Sequence, residues 1–468
     1  MTSEKIKLPP AVQAILETLQ KNGHEAVAVG GCIRDQVLGR PVHDWDIGTS
    51  ALPEEVVQIF GTNNTIPTGL QHGTVTVKKD GELFEVTTYR CDGDYSDGRH
   101  PDSVRFVRTI EEDLARRDFT INAMAYNESR GLIDPYDGRH DCEKGIIRAV
   151  GDPDARFTED ALRILRAVRF AAVLGFAVGS ATKAAMQRHL DKLQNISRER
   201  IGAELYKTVT APHAAEALQT GQGAVIRYIC PELDACYGCA QNNRYHYLDV
   251  FGHTMQALAN AEHYHRFPDE WADGYVRMAL LLHDIGKPDS KTTDENGYDH
   301  FYSHASVSAQ KAEQVLRRLR YSNAFVDTVV ELVAAHDVEF VPTKACARRL
   351  LNKFGVDQLH RLLKLRECDN RAHTLEAWAR FESNAVPFAA VLQQVLDEES
   401  AFSLKDLAIN GKDLIAAGYK PGPQMGKLLN SLLDAVITEQ CKNDPVDLFA
   451  YVDRCETEEN MAWSITHD

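Results

Sequence analysis

The sequence predicts an α+β protein, a small mixed β-sheet head followed by all-helical domains, and three observations carry that expectation. Short β-rich runs crowd the first 150 or so residues, helical spacing of apolar residues begins after Phe157 and persists, and a length of 468 residues suggests about three domains. The β-rich runs are AVAVGG, TVTV and LFEVTTYR, each alternating or β-branched, with Gly, Asn and Asp in the gaps. The first helical run is DALRILRAVRFAAVLGF, with apolar residues at a period near 3.6. No low-complexity linker or fixed-period repeat interrupts the pattern, so helical layers following a sheet head are the expected arrangement.

Hydrophobic residues at 44% and charged residues at 26% give the balance of a soluble, folded chain. No run approaches the ~20 apolar residues that span a bilayer, and the N-terminal MTSEKIKLPP lacks the apolar core of a secretory signal. A cytoplasmic location without membrane partners is therefore expected, with the ten cysteines as reduced thiols. The C-x-x-C pair Cys236 and Cys239, with Cys230 nearby, has no second pair to complete a structural zinc site, so buried thiols are expected there too. A net charge of −16 excludes a protein held on nucleic acid by overall positive charge. Local basic surfaces stay open, because arginines cluster at Arg116–Arg117, Arg163–Arg169 and Arg198–Arg200.

In the head, Val29-Gly30-Gly31-Cys32-Ile33-Arg34-Asp35 precedes His43-Asp44-Trp45-Asp46-Ile47-Gly48. A strand ending in Gly30-Gly31 lets backbone approach a triphosphate, since no Cβ intervenes. Such turns into helices are phosphate sites, and Arg34 adds a forked donor. If Asp44 and Asp46 lie on one strand, their carboxylates share a face. Hard oxygen ligands of this kind suit Mg2+, bound together with substrate phosphates. A pair of such ions activates a hydroxyl nucleophile and stabilises departing pyrophosphate. An isolated D-x-D is more often a solvated loop, but the Gly-Gly turn upstream favours the metal reading. Glu85 shares its face with Leu83 and Thr87, opposite the core residues Phe84 and Val86; it either completes a carboxylate trio or is a surface glutamate. In EEDLARRDFTINA, Arg117 and Asp118 are candidates for the triphosphate and sugar hydroxyls, the alternative being a capping or surface ion-pair role. Asp134-Pro135-Tyr136-Asp137-Gly138 marks a turn.

In the helical run, Arg163, Arg166 and Arg169 recur every three residues. Asp160 and Arg163 are expected as i, i+3 neighbours on one helical face. A carboxylate beside a guanidinium mimics a base edge: it accepts from the amino group of cytosine or adenine, where uracil and guanine carry carbonyls. Such a pair selects CTP and ATP without a template, at about 1–3 kcal/mol for each good bidentate contact. Arg166 and Arg169 are placed to hold phosphates. The alternative is a plain salt bridge on a solvated face.

Together these segments resemble the bacterial class II tRNA nucleotidyltransferases, the CCA-adding enzymes, of the DNA polymerase β superfamily. The pieces are GGCIRD, HDWDIGTSA, FEVTTYR, the loop Asp97-Gly98-Arg99-His100-Pro101, EEDLARRDFTINAMA, IDPYDG and EDALRILRAVRFAA, in family order. ISRERIGAEL resembles the family's neck helix and LAINGKDLIAAGYKPGPQMGKLL its tail element. The resemblance implies addition of CCA to tRNA from CTP and ATP, with metal on Asp44 and Asp46. It gives Gly31, Arg34, Arg117, Arg166 and Arg169 to the nucleotide, and Asp160 and Arg163 to the incoming base. It also implies a nucleotidyltransferase head over 1–150, a neck over 151–222, an HD domain over 223–345 and a tRNA-binding tail over 346–468. Poly(A) polymerases share the head, although the acidic C-terminal CETEENMAWSITHD departs from the basic tail suited to them. His100 stands where CCA-adding relatives usually carry arginine, which keeps CC-only and A-only addition in view.

His253, His283-Asp284 and Asp337 follow the H…HD…D order of the HD superfamily. Imidazole with carboxylate suits a transition metal such as Ni2+, Mn2+ or Zn2+, and metal-assisted attack on a phosphate ester becomes available. His304 and His336 either serve a second metal or hold a phosphate. Some relatives hydrolyse phosphate esters with this domain and others keep only its shape, so an HD phosphohydrolase with an RNA-binding head is the alternative of a different class.

Overall fold

The computed structural model describes residues 6–69, 73–92, 104–398 and 403–454; the loop containing His100 lies outside the described residues. The chain forms two compact units, Met1–Ala235 with Gln314–Ser322, and Cys236–Glu313 with Asn323–Asp468.

The first unit is built on a seven-stranded mixed sheet. The strand Ala26–Val29, all of whose residues are buried, pairs antiparallel with the middle strand, Asp46–Thr49, on one side and with Ala125–Asn127 on the other. Asp46–Thr49 runs parallel to Glu82–Thr88, which continues antiparallel to Thr74–Lys79 and then Thr65–Gly69; Gly131–Ile133 closes the opposite edge. The expected alternation is present: Phe84 and Val86 are buried while Leu83 and Glu85 are exposed. The helix Pro10–Lys21 opens on a proline, suited to the first turn, and buries Ala11, Val12, Ile15, Leu16 and Leu19 at helical spacing.

Helices then dominate. Pro153–Glu159 and Leu162–Leu174 follow the sheet, and Leu162–Leu174 packs on Arg198–Val209. Gln314–Ser322 returns to this unit, where Arg318 clamps Glu232 at 2.7 and 2.8 Å and the Tyr321 hydroxyl donates to Gly202 O at 2.6 Å. Gly202 is required by that approach, because a Cβ there would lie 2.6 Å from Leu319 O.

In the second unit, Val250–His263, Gly274–Leu282, Asn323–Ala335, Lys344–Arg371 and Leu375–Asp397 pack together. Asp273 starts Gly274–Leu282 by accepting from the N–H groups of Tyr275 and Val276. Lys344–Arg371 runs across the expected 345/346 division and breaks at Gly355, whose φ is 74°. In the tail, Asn410 and Asp413 cap Gly411–Ala416 reciprocally. Leu414, Leu432, Leu433 and Leu448 form a core of their own. The described cysteines are free thiols, with Cys230 and Cys236 buried. Among the described residues, no helix is long and apolar enough to cross a membrane.

Candidate functional site

Asp46 opens its strand, and the register sets it directly opposite Glu85 on the parallel neighbour. Both side chains are exposed while the next pair in register, Ile47 and Val86, is buried. Burial raises the Asp46 carboxyl, Arg117 opposes the rise, and Glu85 and Asp44 add to it. Arg117, Glu85 and Asp44 are thus near enough to bear on the Asp46 carboxyl; although Asp46 keeps an accessible face, the surrounding protein displaces enough water to matter. One expectation is corrected. Asp44 is not on the strand, which begins at Asp46. On the antiparallel side the neighbouring strand ends at Val29 and the chain turns at Gly30 into the helix Gly31–Val37, so the ladder on that side stops short of Asp44.

Of the two glycines, Gly30 carries the conformational demand. Its φ is 87°, and a Cβ would meet Arg117 Nη1 at 2.8 Å. Gly31 is the first residue of the helix, and a Cβ there would meet only Arg34 Nη2 at 3.6 Å.

The arginines fall into two groups. Arg34, Arg166 and Arg169 surround the Phe170 ring, their guanidinium carbons 5.4, 5.5 and 4.3 Å from its centroid. Each is braced: Arg34 donates to Asn122 Oδ1 at 2.7 Å, Arg166 to Asp118 Oδ2 at 2.7 Å, and Arg169 to Glu204 at 2.6 Å. Asn122 also donates to Asp118 Oδ1 at 3.3 Å, linking the first two braces. The second group is Arg116 and Arg117, both donating to the buried Asp113. Burial favours the neutral acid at Asp113, yet the two guanidiniums outweigh it and hold the carboxyl low. Asp118, expected to face the nucleotide, is buried with both oxygens occupied by Phe119 N–H, Asn122 and Arg166.

The Asp160–Arg163 geometry is also corrected. Asp160 is extended (φ −141°, ψ 105°) between the helices ending at Glu159 and beginning at Leu162, not on a shared helical face. A short carboxylate competes well for free N–H groups at a helix start, and Asp160 accepts from Leu162 N at 2.9 Å. Arg200 reaches its other oxygen at 3.3 Å. Arg163 pairs instead with Glu159 at 2.6 Å and donates to Arg116 O at 3.0 Å. Glu159, Asn122, Phe170 and Glu204 were not singled out from sequence, and Arg200 was noted only within an arginine cluster; Glu159, four residues before Arg163, carried a local signal.

In the second unit, His253, His283 and Asp284 meet in the interior, each at most 1% exposed. Asp337 does not join them: its side chain is 54% exposed and lies beside His304 and His336. The carboxylate that does join is Asp369, whose Oδ1 is 3.0 Å from His253 Nε2 and 3.6 Å from His283 Nε2. Burial disfavours charge on His283, but Asp284 and Asp369 push its imidazole up to about 10, while burial pulls His336 down to about 4. Lys287 sits 2.8 Å from Asp284 Oδ2. Even so, neither Asp284 oxygen makes a well-aligned hydrogen bond, and His253 Nδ1 has none. Buried acceptors left in this way suit a cation. A cavity of about 620 Å³ opens on Asp284, His304, His336 and Asp369.

Residues 26–148 match the Poly A polymerase head domain, 175–236 the "Probable RNA and SrmB-binding site of polymerase A", and 290–452 the tRNA nucleotidyltransferase domain 2. The chain is 37% identical over 459 residues to the CCA-adding enzyme of Geobacillus thermodenitrificans (strain NG80-2), covering 96% of this chain and 99% of that one. It is 33% identical over 459 residues to the CCA-adding enzyme of Limosilactobacillus reuteri (strain DSM 20016), covering 97% and 100%. The crystal structure of the Bacillus stearothermophilus CCA-adding enzyme in complex with CTP superposes with a TM-score of 0.72 at 31% identity, covering 97% of this chain and all of that one. Similarity of this degree over nearly the whole sequence means that the chain belongs to the CCA-adding enzyme family.

Proposed function

We propose that this chain adds CCA to the 3′ end of tRNA from CTP and ATP, with Asp44 and Asp46 holding divalent metal. The observation that carries the reading is the register that sets Asp46 opposite Glu85 at one end of the sheet, with Asp44 and Arg117 near enough to bear on the Asp46 carboxyl. Divalent ions there, Mg2+ in this reading, supply Lewis-acid stabilisation to the attacking hydroxyl and the departing pyrophosphate. The chain's own residues do the rest. Asp44 and Asp46 ligate, and Glu85 adds a third negative charge beside them. The Gly30-Gly31 turn keeps side chains off the phosphates, and Arg117 stands over it. Arg34, Arg166 and Arg169 receive the triphosphate, and Asp118 orients Arg166. Asp160 and Arg163 read the base, Asp160 from the interhelical turn and Arg163 held by Glu159. In this reading residues 1–150 form the head, 151–222 the neck, 223–345 the HD domain and 346–468 the tRNA-binding tail, and the protein acts in the cytoplasm.

The test supplies tRNA ending at the discriminator base, in -C or in -CC, with each nucleoside triphosphate singly, and sizes the products. Cytidine should be added to the first two and a single adenosine to the third, with UTP and GTP refused. Adenosine runs on every end would instead make the chain a poly(A) polymerase.

A second activity is favoured by the buried His253, His283, Asp284 and Asp369 set: hydrolysis of a phosphate ester supported by Ni2+, Mn2+ or Zn2+. Asp284→Ala should eliminate metal-supported hydrolysis of model phosphate esters and spare nucleotide addition. Absence of hydrolysis with each of the three metals would leave this unit a scaffold.

A further inference from the structure

Asp113, on the short helix Ile110–Ala115, is closed to the nucleotide: it is 3% exposed, and neighbours fill both of its oxygens. Oδ1 accepts from Arg116 Nη2 at 2.7 Å and Nε at 3.1 Å, and from the Arg90 N–H at 3.3 Å. Oδ2 accepts from Arg117 Nη2 at 3.1 Å and Nε at 3.3 Å. The two arginines follow Asp113 by three and four residues, the spacing that brings both to one carboxylate across a helical turn. One acid therefore holds two guanidiniums, an oxygen for each.

The two arginines lead to different parts of the site. Arg117 Nη1 lies 3.4 Å from Asn122 O and against Gly30, and its charge bears on the Asp46 carboxyl. Arg116 leads toward the base. Its Nε also donates to Arg90 O at 3.0 Å, which fixes the residue between Asp113 and the strand Arg90–Asp92, and its own carbonyl accepts from Arg163 Nη2 at 3.0 Å. The preceding carbonyl, Ala115 O, accepts from Arg156 at 3.0 Å. Carbonyls at the end of a helix carry partial negative charge and lack intrahelical donors, so guanidiniums settle on them. Glu159 spans Arg156 and Arg163 from the other side. Both Nη atoms of Arg163 are thereby tied, one by Glu159 and one by Arg116.

We propose that Asp113 is a positioning residue for nucleotide addition, holding Arg117 beside the phosphate turn and, through Arg116, the base-reading Arg163. One buried carboxylate then sets both the rate of addition and the choice of base. The proposal rests on the reading that Arg117 serves the phosphate end and Arg163 the base. Glu159 has a narrower duty, since it braces the base side through Arg163 and Arg156.

The test measures kcat/KM for single additions from CTP and from UTP to tRNA ending at the discriminator base. Asp113→Asn keeps the shape and removes the charge. It should lower kcat/KM for CTP and the CTP-to-UTP ratio by about 10-fold each, the size of one charge-assisted hydrogen bond. The ratio does not depend on how much of the enzyme is folded, so a merely structural role leaves it unchanged. Glu159→Ala should lower the ratio and keep more of the CTP rate. In an Arg163→Ala background, Asp113→Asn should lose no further selectivity, and in an Arg117→Ala background little further CTP rate. If Asp113→Asn yields no folded protein, Arg116→Gln decides: it leaves the Asp113–Arg117 pair in place and should relax the ratio while sparing more of the rate. A parent-like ratio in Asp113→Asn, or in Arg116→Gln where that variant decides, overturns the proposal, as do losses that add to those of Arg163→Ala. A parent-like ratio in Arg163→Ala itself overturns the reading of Arg163 on which the proposal rests.

Discussion

Asp118→Asn tests whether a buried carboxylate binds nucleotide itself or acts through an arginine. Asp118 is 8% exposed; it accepts from Arg166 Nε at 2.7 Å on one oxygen and from Phe119 N at 2.8 Å on the other. Asparagine keeps the shape but not the charge, and whichever way the amide turns, its NH2 group faces a donor. A hydrogen bond to a charged group contributes about 1.5–3 kcal/mol, and removing one partner of a buried pair costs about 3–5 kcal/mol. The Arg166 side chain is 35% exposed, so water recovers part of that, and the expected loss is about 2 kcal/mol. If the whole loss falls on the orientation of Arg166, kcat/KM for CTP drops about 30-fold. The assay is CTP incorporation into tRNA lacking its CCA, run on Asp118→Asn, Arg166→Ala and the double variant. A positioning role makes the double variant no worse than the poorer single one. Losses that add, or an unchanged KM for CTP in Asp118→Asn, would refute the reasoning. The pH dependence has a definite sign. Burial pushes Asp118 up, but Arg166, Asn122 and Arg163 together hold it below its usual range. Its contribution is therefore complete above the ordinary aspartate pKa and is lost as pH falls through the lowered one, so the melting difference between parent and variant should close in acid.

The other predictions concern separate features. Gly30→Ala should destabilise the protein by about 1–3 kcal/mol through its φ alone and displace Arg117, lowering both the melting temperature and CTP affinity; a variant that melts like the parent contradicts this. Asp369→Ala should weaken Ni2+ binding at the His253 set at least about 10-fold by titration calorimetry, while Asp337→Ala leaves that site in place; equal losses would return Asp337 to it. Asp160→Ala and Arg163→Ala should relax the choice of CTP over UTP by about 10-fold, and Glu159→Ala should behave like Arg163→Ala because it frees the same guanidinium. If these variants lose all nucleotide affinity but keep selectivity, base reading lies elsewhere.

The sheet end of the site was legible because period-2 alternation is a local property: Phe84 and Val86 inward put Glu85 outward, beside Asp46. The helical face expected for Asp160 was not, because E-D-A-L-R-I-L-R reads as one uninterrupted helix with no Gly or Pro to mark the break. What breaks it is the Asp160 carboxylate on Leu162 N–H, a choice that sequence spacing does not reveal. The fourth member of the buried cluster was missed for a different reason. Asp337 is the nearest aspartate in the expected order, but it stays half outside. Asp369 arrives from late in Lys344–Arg371, carried in by packing on Val250–His263 and fixed there by Asn260 donating to Cys368 O at 2.8 Å. Nothing local distinguishes it from other helical acids. The arginines around Phe170 were each visible, but their meeting on one ring depends on tertiary contact alone.

The central claim is that Asp44 and Asp46 serve the addition of CCA to tRNA. It is tested most directly by giving tRNA that ends at the discriminator base to the parent chain and to Asp44→Ala and Asp46→Ala, with CTP and ATP together, and sequencing the 3′ ends. The parent should complete CCA and stop, and both variants should leave the end unextended while still binding tRNA. Completion of CCA by either variant at close to the parent rate would contradict the claim.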